Sequence, residues 1–451
     1  MKQLLIKTVE EKANELRKMA KDIWSNPELG EQELYASKLQ RDYMKENGFL
    51  ISLIENVPTA FVAEYGNEGS VVGVLGEYDA LPGLSQLEGV AFKAPTESEN
   101  PNGHGCGHNL LGVAGIGACL AIKEAIDNGS VKCRVRYYGC PAEEALKGKG
   151  EMANEGVFDD LDFSVTFHPF DRNAVWGMGT PAVVAAEFNF KGVTAHAGFN
   201  PEVGRSALDA VELMNVGCNY LREHMTEGSR VHYTITNGGE APNIVPDKAS
   251  SKYNVRSETN KNAETLFERV VKIANGAAMM TETEVEVNIQ NKCYDYAASE
   301  VLIPIANENL KWAGPLEFTE EDKKLGKELA DTVNQELVKQ FKTHIGLEND
   351  QAMSEKEVHI MSKRFGGSSD IGDVSYIVPT ICLSTSCAPV GVAPHTWQST
   401  SCYGSDIGFK GMLYASKSMA GIIYDVCNNP SVLKEAKRYH EEKGLKFIKI
   451  K

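Results

Sequence analysis

The sequence predicts an α/β fold that carries a smaller, inserted α+β domain. Three observations predict it. At 451 residues the chain is too long for one ordinary core and should divide into about two domains. Strand-like and helix-like segments alternate along its first part, as in a sheet covered by helices. From about Val184 the order changes to β-α-β-β-α-β, a split βαβ unit that can bury a two-layer core of its own. The expected boundaries are 1–183 for a first segment, 184–292 for the insert, and 293–451 for the resumption of the first domain.

In the first segment "SVVGVLGEYDALPG" is a continuous apolar run ending in Glu77, Asp79, Pro82 and Gly83. That is the pattern of a buried strand delivering polar side chains at its carboxyl end. "NLLGVAGIGACLAIKEAI", from Asn109, reads as a buried helix rich in small residues. "CRVRYYGCPAEE" reads as a strand whose exit carries Glu143 and Glu144, and "FSVTFHP" as a strand ending at His168. Three strand exits therefore bring polar groups to one edge, where ligands bind in open α/β sheets. The insert runs strand "AAEFNFKGV", helix "SALDAVELMNVGCNYLREH", strands "RVHYTITNGG" and "ASSKYNVRSET", helix "AETLFERVVKIANGAAMM" and strand "TEVEVNIQN". In the last segment "TEEDKKLGKELADTVNQELVKQF" reads as helix with a solvated charged face. "SYIVPTICLSTSC" reads as a returning strand, and the chain from Phe409 as docked helices.

Composition narrows the function classes. The hydrophobic share of 42% and charged share of 24% are those of an ordinary globular protein. A formal net charge of −16 argues against a nucleic-acid partner, which needs a concentrated basic face. The start, "MKQLLIKTVEEKANELRK", lacks the apolar run of a secretory signal, and no apolar stretch approaches the roughly 20 residues of a membrane span. A cytoplasmic protein without a membrane partner is expected. The ten cysteines lie singly, without CxxC spacing, as reduced thiols rather than a disulfide framework.

The exception is "GHGCGHN", which places His104, Cys106 and His108 in one glycine-rich turn. Imidazole and thiolate suit Zn²⁺ and related metals, and a carboxylate completes sites for Zn²⁺, Mn²⁺, Ni²⁺ or Co²⁺. Cys106 and His108 with Glu144, His168 and a late histidine, His395 in "APHTWQST", would make a five-residue set for two metals. Each residue alone has an ordinary reading: a strand-end cap for His168, a surface loop for His395, a solvated helix start for the two glutamates. Their concentration at predicted strand exits favours the site. His104 reads as structural rather than ligating.

Seven motifs, "GEYDALPG", "GHGCGHN", "CPAEE", "FHP", "KGVTAHAG", "NIVPD" and "PHTWQ", occur in the order found in the aminoacylase and carboxypeptidase family of two-metal amidohydrolases, which the chain resembles from about Asn26 to its late helices. "GEYDALPG", "SSDIGDVSY" and "PHTWQ" resemble most the aminobenzoyl-glutamate hydrolase branch. Many relatives end the histidine turn in Asp, where this chain has Asn109.

The resemblance implies a metallopeptidase catalytic domain, with a central mixed sheet and helices on both faces, and a ferredoxin-like insert that forms a homodimer. It implies two divalent metal ions, Zn or Mn with Ni or Co as further options, held by Cys106, His108, Glu144, His168 and His395. Glu143 would be the general base and proton donor to the departing amine, and Asp79 would orient a ligand. His196 of "TAHAG" would reach a partner's active site to stabilise the oxyanion, and Asn243 and Arg256 would hold the substrate carboxylate. The implied reaction is hydrolysis of the amide of a small N-acyl or N-aroyl amino acid, p-aminobenzoyl-glutamate foremost, with a second subunit as a further possible partner. A β-alanyl or general N-acyl amino acid dipeptidase would use the same residues, and an inactive metal-binding scaffold is the alternative from another class, against which Glu143 speaks.

Overall fold

The computed structural model describes residues 2–362 and 366–449. The chain divides into two compact units, Met1–Met178 with Ala297–Lys363 and Asp373–Lys451, and Gly179–Tyr296 with Arg364–Gly372. The second unit opens five residues before the expected boundary at 184 and also takes up a short piece of the last segment.

The strands are, in chain order, β1 (Leu50–Leu53), β2 (Phe61–Tyr65), β3 (Ser70–Glu77), β4 (Cys133–Cys140), β5 (Phe163–Phe170), β6 (Asn173–Trp176), β7 (Ala182–Lys191), β8 (Arg230–Asn237), β9 (Lys248–Ser257), β10 (Glu284–Cys293), β11 (Val358–Met361) and β12 (Thr380–Ser386). In the first unit eight of them form one mixed sheet in the order β1-β2-β4-β3-β5-β12-β6-β11. β4, β3, β5 and β12 run parallel at its centre, and β2 and β6 run antiparallel to their inner neighbours.

Alternate residues of β3 enter different cores, which shows that both faces of this sheet are covered. Val72 and Val74 join the large cluster containing the helices His108–Asp127 and Asp406–Cys427. Val71 and Leu75 face Met152, Phe158 and Val374 on the other side. The expectation that no apolar stretch approaches membrane-span length needs one correction: helix His108–Asp127 is long and apolar enough by length and composition. It is instead buried in the protein, touching β3, β5 and the helix Asp406–Cys427.

The last segment differs from its sequence reading in two places. The helical stretch after Pro315 is broken into Glu320–Ala330 and Gln335–His344, because the Asn334 side chain accepts the Glu336 and Leu337 N–H groups and starts a new helix. The returning strand begins only at Thr380, after Pro379, which has no N–H to give to a ladder; Ile371–Ser375 is a short helix.

The second unit is a four-stranded antiparallel sheet in the order β10-β7-β9-β8, carrying the helices Ala207–Leu221 and Asn260–Thr281. This is the order of a ferredoxin-like β-α-β-β-α-β unit. Its core is separate, built around Phe188, Val211, Met214, Tyr253 and Val270.

Candidate metal centre and active site

Parallel pairing sets the level of the site. β3 ends at Glu77, opposite Cys140 at the end of β4, so the chain leaves both strands at one edge. β3 runs on into Tyr78 and Asp79, both buried. β4 runs into Pro141 and a one-turn helix, Glu143–Ala145, flanked by Ala142 at φ 51° and Leu146 at φ 54°. Left-handed backbone costs an L-residue about 1–2 kcal/mol, so the turn needs outside support. Glu33 gives it, accepting the Ala142 N–H at 2.8 Å through Oε1, and Asp79 Oδ2 accepts the Glu144 N–H at 2.9 Å. The strand carrying His168 runs two residues further than the sequence suggested, so His168 sits within β5, opposite Ser384 of β12.

The glycines of "GHGCGHN" have specific tasks. Gly107, at φ 80°, starts the helix His108–Asp127, and a Cβ there would meet Pro169 and Tyr403 at 3.0 Å. Gly105 has Leu84 2.4 Å from where a Cβ would be, and its carbonyl accepts the N–H of His395 at 2.8 Å and the hydroxyl of Ser399 at 2.8 Å. The bare backbone at Gly105 thus lets the loop of His395 close beside Cys106. His395 itself holds φ 64°.

The five expected ligands fall into two groups, Cys106, His108 and His168, and Cys106, Glu144 and His395, and a third group joins His108 to Glu77 and Glu143; in each, donor atoms lie within 4.8 Å of one another. Cys106 Sγ lies 3.4 Å from His168 Nε2, and His395 Nε2 lies 3.4 Å from Glu144 Oε2. Two hydrogen bonds orient imidazoles: His168 Nδ1 donates to the Pro169 carbonyl at 2.9 Å, and His108 Nδ1 bonds Asp79 Oδ1 at 2.7 Å. Each leaves Nε2 facing the cluster. The His168 ring also stacks on Trp176 at 5.6 Å.

Burial displaces the ionisations of these groups. It raises Glu144 to about 7, lowers His168 to about 4 and, with Glu144 nearby, pushes the Cys106 thiol well up. Burial would lower His108, but the adjacent Cys106, Asp79 and Glu77 hold it well above its usual value, while His108 keeps Asp79 low despite burial. Anionic donors shut away from water call for cations. The fit to a metal is direct: Nε2 of His108 and Oε1 of Glu144 are buried without a hydrogen-bond partner among the described residues and lie 4.0 Å apart. His104 is buried, outside all three groups, and held neutral by burial with its pKa lowered to about 3.

The remaining expected residues lie in the second unit. His196 is exposed and bridges to Ile244, next to Asn243, whose carbonyl accepts the Ala197 N–H at 2.9 Å. The Gly198 N–H donates to His196 Nδ1 at 3.2 Å, which leaves the ring proton on Nε2, pointing away from that bond. Arg256, half-buried on β9, touches Ser368 through Nη1 at 3.3 Å, and its buried Nε has no hydrogen-bond partner among the described residues.

Sequence reasoning gave no role to Glu77, Lys149 or Glu33. Glu77 was visible as an acidic strand exit. Lys149, in "KGKG", reads as a solvated lysine, yet it is fully buried with Nζ 2.5 Å from Glu77 Oε1.

The fold and geometry agree with comparisons to known proteins. Residues 179–280 match the model of the M20 peptidase dimerisation domain. Over 94% of this chain and 91% of the relative, the sequence is 37% identical to one of the subunits of the p-aminobenzoyl-glutamate hydrolase of Escherichia coli. The chain belongs to the M20 family of peptidases and amidohydrolases. As a member it is a hydrolase of amide and peptide bonds. Another relative, the Xaa-Arg dipeptidase of Mus musculus, is 29% identical over 97% of this chain and 91% of its own length. Among solved structures, a dinuclear metal-binding M20 peptidase of Bacillus subtilis shares the fold at a TM-score of 0.63, with 16% identity, covering 93% of this chain and 99% of that one.

Proposed function

We propose that this M20 hydrolase cleaves the amide bond of an N-aroyl or N-acyl amino acid, with p-aminobenzoyl-glutamate as substrate and p-aminobenzoate and glutamate as products. The observation that carries the reading is that Cys106 belongs to two ligand groups at once while Glu143 stands in the neighbouring one. One metal ion would be held by Cys106, His108 and His168, and the other by Cys106, Glu144 and His395. The mixed sulfur, nitrogen and oxygen donors suit Zn²⁺ or Mn²⁺, and also Ni²⁺ or Co²⁺. When bound, the ions supply Lewis-acid chemistry at the scissile carbonyl.

Glu143 accepts a proton from the attacking water as its oxygen adds to the carbonyl carbon. It returns that proton to the nitrogen as the carbon–nitrogen bond breaks, so the amine leaves neutral. Asp79 orients His108 and the glutamate turn together. Arg256 and Asn243 hold the carboxylate of the amino-acid half, and the unpartnered Nε of Arg256 supports this role. His196, with its proton on Nε2, donates to the developing oxyanion from the second copy of a homodimer formed through the insert. A distinct second polypeptide is a further partner, supported by the Escherichia coli hydrolase, in which two different subunits are both similar to this chain. A cytoplasmic location accords with the cysteines: among the described residues they form no disulfide, and all but Cys427 are buried.

The test is amine release by metal-reconstituted protein from p-aminobenzoyl-glutamate, hippurate, a β-alanyl dipeptide and a dipeptide ending in arginine. Fastest turnover of p-aminobenzoyl-glutamate is expected. Cleavage of the arginine dipeptide alone would replace this reading with the dipeptidase one, and no cleavage of any amide would leave a scaffold.

A further inference from the structure

We propose that Glu77, held in place by Lys149, is a sixth residue of the metal centre and gives a carboxylate oxygen to the ion that His108 holds. The inference rests on the two-metal reading above and deepens it.

Glu77 is the last residue of β3 and is fully buried. A carboxylate in that position is costly unless both of its oxygens are met. Lys149 Nζ, equally buried, meets Oε1 at 2.5 Å. Among the described residues Oε2 has no hydrogen-bond partner, and 3.2 Å away lies His108 Nε2, which has none either. His108 Nδ1 is held by Asp79, so Nε2 is the ring atom that faces the Glu77 carboxylate oxygen. A divalent ion between these two atoms would meet both.

The spacing is that of ligands around one ion. Metal bonds of about 2.1 Å in a tetrahedral site place neighbouring donors about 3.4 Å apart. His108 Nε2 lies 3.2 Å from Glu77 Oε2. Charge points the same way. With metal in place of their protons, Cys106, Glu77, Asp79, Glu143 and Glu144 would bring five negative charges together and Lys149 one positive charge. Two divalent ions would supply the other four.

Zinc is the probe. Wild type and Glu77→Gln are titrated with Zn²⁺ against a chromophoric chelator, and their Co²⁺ forms are compared by absorption. Gln keeps an oxygen for Lys149 and the shape of the side chain. The expected result is one ion bound at least about tenfold more weakly in Glu77→Gln, within the 10–100-fold range for residues supporting a metal site. The other ion should be unaffected, with shifted cobalt d–d bands and a persisting thiolate-to-cobalt band. If Glu77→Gln does not fold, the pair Glu77→Gln/Lys149→Met, which removes both buried charges, is measured in its place with the same expectation. Two zinc ions bound with wild-type affinity and an unchanged cobalt spectrum would overturn the inference and leave Glu77 a partner of Lys149 only. Wild-type protein that binds no zinc would overturn the two-metal reading itself, and this inference with it.

Discussion

Asp79 Oδ1 accepts the Nδ1 proton of His108 at 2.7 Å, with both side chains buried. The other oxygen of Asp79 accepts the Glu144 N–H at 2.9 Å, so one carboxylate fixes an imidazole on a helix N-terminus and the turn bearing two glutamates. Asp79→Asn can satisfy only one of these donors, because its amide NH₂ must face the other. We expect kcat/KM to fall about 10–100-fold and metal affinity to fall with it, as for other residues that orient metal-bound histidines. Steady-state kinetics and elemental analysis check this; a variant matching wild type in both would remove Asp79 from the site.

The adjacent glutamates should separate in their effects. Glu143→Gln cannot take the proton of water, so turnover should drop about 10²–10⁴-fold with metal content unchanged. Glu144→Gln removes a donor from the group of Cys106 and His395 and should lower metal content instead. Wild-type turnover in Glu143→Gln would sink the mechanism.

Much of this site was legible because its residues are chemically unusual for their surroundings. Thiol and imidazole in a turn of glycines, and glutamates or a histidine after apolar runs, stand out without any knowledge of the fold. The insert was legible because its period changes from one element to the next. Glu77 and Lys149 were not, since nothing in a linear sequence says that a lysine between glycines turns inward to meet a carboxylate 72 residues earlier. Glu33 lies in a segment with no pattern of its own, and its task, holding Ala142 in left-handed backbone, exists only in three dimensions. The break before Gln335 was hidden because the helical charge pattern continues across it, and the Asn334 cap decides the matter locally.

Cys106 gives a test that needs no substrate. Cys106→Ser should lower the binding of both ions, since both ligand groups include the thiol. In wild type, a thiol reagent should label Cys106 faster in metal-stripped protein than in metal-loaded protein, because a bound ion occupies the thiolate. Equal labelling, read by peptide mass spectrometry, would make Cys106 a buried structural cysteine.

Glu33 should leave a mark on the pH dependence of stability. Burial raises its pKa from 4.5 to about 7. Between those values the folded protein keeps a proton that the unfolded chain has released, so this group's contribution to stability falls as pH rises through that window. Glu33→Gln retains an acceptor for the Ala142 N–H and cannot ionise. Its melting temperature should therefore decline less than that of wild type between pH 5 and pH 8, and equal declines in thermal melts would refute the assignment.

The last prediction concerns a shared active site. His196 is exposed on the insert, with a backbone N–H fixing Nδ1 and a proton left on Nε2, while every proposed metal ligand belongs to the other unit. A two-fold pairing of inserts gives each copy a way to lend this donor to its neighbour. His196→Ala should then bind metal normally and lose turnover on the order of a hundredfold or more, the usual effect of removing one oxyanion donor. Mixing His196→Ala with Glu143→Gln protein under conditions of subunit exchange should restore part of the activity. In a mixed dimer, the His196→Ala copy keeps its Glu143 and receives a histidine from the Glu143→Gln copy, which completes one of the two sites. Exchange verified by native mass spectrometry, with no recovery of turnover, would place the action of His196 within its own chain or outside catalysis altogether.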